Sequence, residues 1–247
     1  MKLYKLEIQK EHLASLPEKE SLFFIQIGTI LNDINILHKI TFFSNKETET
    51  EVERRALNSQ SFFLLLVLSG KLHEGWKVLQ NLFFRGHLSR EYDEYLPDEA
   101  KQDLDKIKKY FGKANNLISK IRNKFSFHYD QDEIKNSLQN FPDDEPLEIY
   151  LSTSRGNCFY FASTVLIMRA VLESTGKDIS DPQAALTQFF DEVLNVTGWM
   201  MNFLNYCLLV VPEKLGWDQS LIKETIELEN PPNPDDVFLP PFLNETK

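Results

Sequence analysis

Over most of this chain, apolar residues recur at intervals of three and four, the spacing that lines one face of an α-helix. SLFFIQIGTILNDINILHKITFF, Ser21 to Phe43, predicts a long, largely buried helix, and the charged stretch SNKETETEVERR after it turns the chain or opens the next helix. That next helix is strongly apolar and runs from Ala56 to Phe84, with Gly70 and Gly75 weakening its middle and permitting close helix packing. Pro97 followed by Asp98 and Glu99 opens another, because proline fits a first turn and acids suit the positive end of a helix. From there to about Gln131 the rhythm continues through Leu104, Ile107, Tyr110, Phe111, Leu117, Ile118, Ile121 and Phe125, with Gly112 placed to kink or divide it.

Past Phe141-Pro142 the pattern changes. Glu148 to Ser152 and Cys158 to Phe161 are short runs around TSRGN, with Gly156-Asn157 as a turn, and predict a small β-hairpin. Helix resumes from Ala162 to Ser174, and Asp181-Pro182 caps and opens the last long helix, to about Val211. The tail after Leu228, with PPNPDDVFLPPFL, has no helical period and is expected to wrap the surface or lie loosely. The expected fold is mainly α, a helical bundle with a small β-hairpin insertion. One domain is expected over residues 1–228, with a bundle core at about 21–130, an elaboration at 147–228 and a Pro-rich tail at 229–247.

Composition narrows the class. A chain of 247 residues with 42% hydrophobic content buries a sizeable core and does not read as disordered. Cys158 and Cys207 alone make neither a disulfide framework nor a zinc site, which points to a reducing compartment. The N-terminus has no apolar leader and no run approaches eighteen uninterrupted apolar residues, so the expected location is the cytoplasm, off the membrane. Net charge is −10, yet Lys101 to Lys124 carries eight basic residues against Asp103 and Asp105. That stretch is about +6 and the remainder about −16, so contact with RNA is expected to be local, through Lys113, Lys120 and Lys124.

Within that basic stretch lies the best clue to chemistry, IRNKFSFHYD, where Arg122-Asn123 precedes His128 by six positions. Arginine holds a phosphate through two hydrogen bonds, and histidine exchanges a proton near neutral pH. The pair suits phosphodiester cleavage without metal. Were the helix continuous, six residues would leave the two side chains roughly 120° apart on its wheel, able to share a cleft without stacking.

Arg122-Asn123 with His128, at the end of a long helix in an all-α chain, resembles the HEPN superfamily (higher eukaryotes and prokaryotes nucleotide-binding domain) over about ten residues. The resemblance implies that Arg122 and His128 are catalytic, that Asn123 helps position the phosphate, and that RNA is cut through 2′-hydroxyl attack to leave a 2′,3′-cyclic phosphate. It further implies a homodimer with the cleft between subunits, and an antitoxin or nucleotidyltransferase-type partner. In the toxin branch a tyrosine commonly sits two places after the histidine; here Asp130 holds that place and Tyr129 comes one residue early. Glu74, an acid in an apolar helix, is a candidate to orient Arg122, and Asp33 to line the same cleft.

Other chemistries lack their motifs. No Glu-x-x-His, His-Glu-x-x-His, P-loop or Gly-x-Ser-x-Gly pattern occurs, and neither a metal nor a cofactor is expected. Two further readings stay open: a non-catalytic HEPN-like module binding a nucleotide, RNA or a protein partner, and an adaptor working through its Pro-rich tail and acidic surface.

Overall fold

The computed structural model describes every residue except 45, 127–129, 155, 175, 177–180, 215–221 and 245–247. The protein is mainly α. Its elements are β1 (Lys2–Leu6), α1 (Lys10–Ala14), α2 (Glu18–Phe43), α3 (Glu51–Val78), α4 (Leu88–Glu91), α5 (Asp98–Phe111), α6 (Leu117–Lys124), α7 (Gln131–Gln139), α8 (Phe161–Ser174), α9 (Pro182–Lys214) and β2 (Ile222–Glu227). α3 passes directly into a π-helical turn, Leu79–Phe84, which carries the predicted helix to its expected end.

Two compact units emerge, each assembled from three separated stretches. Unit 1 comprises Met1–Asn35, Lys71–Gly112 and Val196–Asp236; unit 2 comprises Ile36–Gly70, Lys113–Asn195 and Val237–Lys247. Neither follows a continuous 21–130 core, because α2, α3 and α9 each contribute to both units.

Unit 1 is centred on a cluster of aromatic rings, one pair stacked and the others edge-on. Phe83 lies 5.4 Å from Phe23, 5.4 Å from Phe203 and 5.9 Å from Tyr92 between ring centroids, and all four are fully buried. Gly75 serves the packing role its sequence position suggested, since a Cβ there would stand 3.3 Å from Ile30 of α2. β1 and β2 form an antiparallel two-stranded ribbon, Lys2 opposite Glu227 and Leu3 opposite Ile226. This ribbon joins distant parts of the chain. At the hairpin predicted from Glu148 to Phe161, the structure holds one antiparallel bridge, Tyr150 with Phe159, closed by two 2.8 Å backbone hydrogen bonds.

Unit 2 packs α7 against α8, where Ser137 Oγ donates to the Leu166 carbonyl at 2.9 Å. α7 was not anticipated, although its signal is present: Asp130 caps it by accepting from the Asp132 and Glu133 amides, and both acids fall in the first turn. Asp181 caps α9 as expected, accepting from Ala184 N–H at 3.0 Å.

α9 is long and apolar enough to cross a membrane by length and composition, with mean hydropathy 1.3 in its best window. Its pattern is nevertheless that of a core helix. Leu186, Phe189, Val193, Val196, Met200, Phe203, Cys207 and Val210 are buried at alternating steps of three and four, while Gln188, Asp191, Asn195, Asn202 and Asn205 face outward.

Candidate functional site

α6 carries the Arg122-Asn123 pair. Asn116 caps it, its Oδ1 accepting from Ser119 N–H at 2.8 Å, and Leu117, Ile118 and Ile121 are buried. That apolar stripe turns Arg122 toward the boundary of unit 2, half-buried, and leaves Asn123 exposed. Arg122 Nη1 donates to Asn123 Oδ1 at 3.4 Å, so the two polar groups form one surface feature.

The helix ends sooner than its sequence suggested. Gly112 divides the expected long helix into α5 and α6, and α6 stops at Lys124. Arg122 and position 128 therefore do not share a continuous helix, and the wheel relation expected of them does not apply. His128 and Tyr129 lie outside the described residues. The described ends of that stretch are fixed: Ser126 Oγ donates to the Leu66 carbonyl at 2.8 Å, and Asp130 N–H returns to the Lys124 carbonyl at 3.2 Å.

The basic residues are largely engaged within the protein. In unit 2, Lys124 pairs with Glu133, whose hydrogen bond and charge hold the ammonium above the usual lysine range. Lys120 donates to the Ser174 carbonyl at 3.1 Å, and Lys113 stands exposed in the turn before α6. In unit 1, Lys101 pairs with Asp93, Lys106 with Asp103 and Lys108 with Asp105. The charge excess read from the sequence is thus partly compensated by neighbouring acids, two of them, Asp93 and Glu133, outside the basic stretch itself.

Glu74 and Asp33 belong to unit 1. Glu74 is exposed on α3, contrary to the burial its apolar neighbours suggested, and Asp33 pairs with Lys71 at 2.7 Å. Among the described residues no group of three or more His, Cys, Asp or Glu side chains is arranged to hold a metal.

Sequence reasoning missed the cavities. One of about 480 Å³ in unit 2 is lined by Phe62, Phe63, Leu66, Ile134, Thr164 and Ile167 among others, without a charged group. Leu66, whose carbonyl receives Ser126, places this cavity beside the chain leaving α6. A second, of about 190 Å³, has two arginines in its wall. Arg55 lies 4.8 Å from the Phe161 ring centroid and bonds Tyr150 Oη and Glu51 as well as Glu148, whereas Arg169 is held by Glu173 at 2.8 Å. Both guanidinium groups already have carboxylate partners. The signal for the first cavity lay in the alternation of Phe62-Phe63, one ring buried and the next 58% exposed, which needs the neighbouring helices to be read.

Comparison with protein-family models, curated proteins and solved structures finds no match for this chain.

Proposed function

We propose that this protein is a HEPN-like, metal-independent endoribonuclease of the cytoplasm, acting in defence or as the toxin of a toxin–antitoxin pair, most simply as a homodimer. The observation that carries the reading is the Arg122-Asn123 pair at the C-terminal end of α6, on a mainly helical fold and close in sequence to Ser126, which bonds the carbonyl of Leu66 in the wall of an apolar cavity. In the proposed reaction the RNA 2′-oxygen attacks the adjacent phosphorus. His128 removes the 2′-hydroxyl proton, the bond from phosphorus to the 5′-oxygen breaks, and the leaving 5′-oxygen takes up a proton from water. Arg122 donates to the phosphate oxygens as charge builds on them, and Asn123 helps to hold them. The cavity wall of Phe62 and Phe63 offers an apolar seat for an unstacked base.

A second reading has its own support. The cavity wall is uncharged and Lys120 and Lys124 are engaged by unit 2 itself, which suits a non-catalytic module holding a neutral ring or a partner. Cleavage of a mixed RNA pool in EDTA separates the two. Arg122→Ala and His128→Ala should each lower the rate at least about 100-fold, the usual scale for losing an oxyanion donor or a general base. Equal cleavage by all three proteins, or none by wild type, would favour the binding module.

A further inference from the structure

The Pro-rich tail is not loosely laid on unit 2. It is clamped through its backbone at two points four residues apart. At the first, Leu239 N–H donates to the Phe43 carbonyl at 3.0 Å and Gln60 Nε2 donates to the Leu239 carbonyl at 3.3 Å. At the second, Asn157 uses both ends of its amide: Nδ2 donates to the Leu243 carbonyl at 2.6 Å and Oδ1 accepts from Leu243 N–H at 2.9 Å.

The clamp residues are themselves held. Gln60 Nε2 also bonds Ser44 Oγ at 3.0 Å, and Ser44 is fully buried. Asn157 follows Gly156, whose φ of +83° is open to glycine and costly for other residues, so this turn aims the amide at the tail. Between the clamps stand Pro240 and Pro241, which have no N–H to satisfy and a fixed φ that favours an extended chain. Two rings flank them. Phe242 meets Phe159 edge-on with centroids 6.4 Å apart, and Lys46 Nζ lies 5.6 Å from the Phe238 ring centroid.

Backbone hydrogen bonds with alternate side-chain seats are how proteins read extended peptides in general. We propose that this face of unit 2 is a recognition groove for extended Phe-x-Pro-Pro-Phe peptides, and that the chain's own tail is its resident ligand, displaceable by a partner protein presenting such a segment. The tail is held without full burial: Phe238 and Leu239 are each 39% exposed and Leu243 is 66% exposed. Its advantage is the tether, which supplies an effective concentration on the order of millimolar. Weakening the tail's own contacts therefore opens the groove to a peptide in trans. This inference is independent of the catalytic reading.

The test uses the full-length chain and a fluorescent peptide of residues 236–244, followed by anisotropy. Phe242→Ala, which loosens the tail in cis, should bind the peptide at least about tenfold more tightly than wild type, given the tether it removes from competition. Adding Asn157→Ala should abolish that binding, and Asn157→Asp, which retains the acceptor but loses the donor to Leu243, should weaken it. Circular dichroism checks that each variant is folded. In wild type, excess unlabelled peptide should speed hydrogen exchange at the Leu239 and Leu243 amides. Absence of saturable binding to folded Phe242→Ala, or binding indifferent to Asn157, would overturn the proposal. So would a wild-type dimer lost on Asn157→Ala, since the occupant would then be a second copy's tail.

Discussion

Unit 1 and unit 2 handle the same raw material, apolar helices with scattered charges, in opposite ways. In unit 1 the charges are drawn into the packing. Glu20 is 1% exposed at its side chain and bonds Lys214 at 2.8 Å, Lys214 also reaches Glu91 at 3.3 Å, and the ammonium lies 5.4 Å from the Tyr92 ring centroid. Around that cluster the phenylalanine rings close ranks. Unit 2 leaves room: two cavities, a half-exposed arginine, a phenylalanine on a rim and a tail held by amide clamps. Rings packed without gaps stabilise, whereas open apolar walls and polar groups at a boundary are what binding requires. Arg122 and Asn123 fall in the unit that holds these cavities, whereas Glu74 and Asp33 fall in unit 1.

Substitutions should divide along that line. Phe83→Ala, at the centre of the unit 1 rings, should cost about 3–5 kcal/mol in urea unfolding. Phe63→Ala, on the cavity rim of unit 2, should stay within about 0.5 kcal/mol, because most of its ring is already in water. A comparable loss from both would erase the distinction.

The buried ion pair gives a pH signature. Burial alone would lower the Lys214 pKa, but the hydrogen bonds and charges of Glu20 and Glu91 outweigh it and raise it. A raised folded pKa contributes stability that is fully present below the unfolded value of about 10.4 and is lost as pH climbs through the folded value. Wild type should therefore lose more stability than Lys214→Met when unfolding is compared at about pH 9 and pH 11. Equal loss would mean the pair is not coupled to folding.

Much of the helical order was legible in sequence because it rests on local periodicity. Asp181 as a cap and Gly112 as a divider depend on neighbours within a few turns, and Gly75 is legible as a small residue in an apolar helix although its contact, Ile30, belongs to another helix. The pairing of β1 with β2 was not legible, since the partners of Lys2 and Leu3 lie more than 220 residues away and no turn fixes their register. The predicted hairpin contracts to one bridge, Tyr150 with Phe159. The start of α7 is obscured in the sequence because its cap, Asp130, also ends the IRNKFSFHYD stretch. At the candidate site residue types and spacing were legible beforehand, and the fold added the end of α6, the cavity and the engagement of Lys120 and Lys124.

Smaller effects sharpen the contrast between buried and open chemistry. Cys207 is fully buried and burial pushes its thiol well above the usual range, whereas Cys158 is exposed. A thiol-specific reagent should label Cys158 in the native protein and reach Cys207 only in denaturant; prompt labelling of both would show that unit 1 opens readily. Least of all, Tyr92→Phe should shift stability by no more than about 1 kcal/mol, because the buried Tyr92 hydroxyl makes no well-formed hydrogen bond among the described residues and meets the Glu20 carboxylate, burial and that carboxylate both raising its pKa.

The ribonuclease reading turns on the ends of its products. RNA incubated with the wild-type protein in EDTA should yield fragments bearing 2′,3′-cyclic phosphates, and Arg122→Ala or His128→Ala should form them at least about 100-fold more slowly. Fragments ending in 3′-hydroxyls, or cyclic ends made equally well by the folded variants, would contradict it.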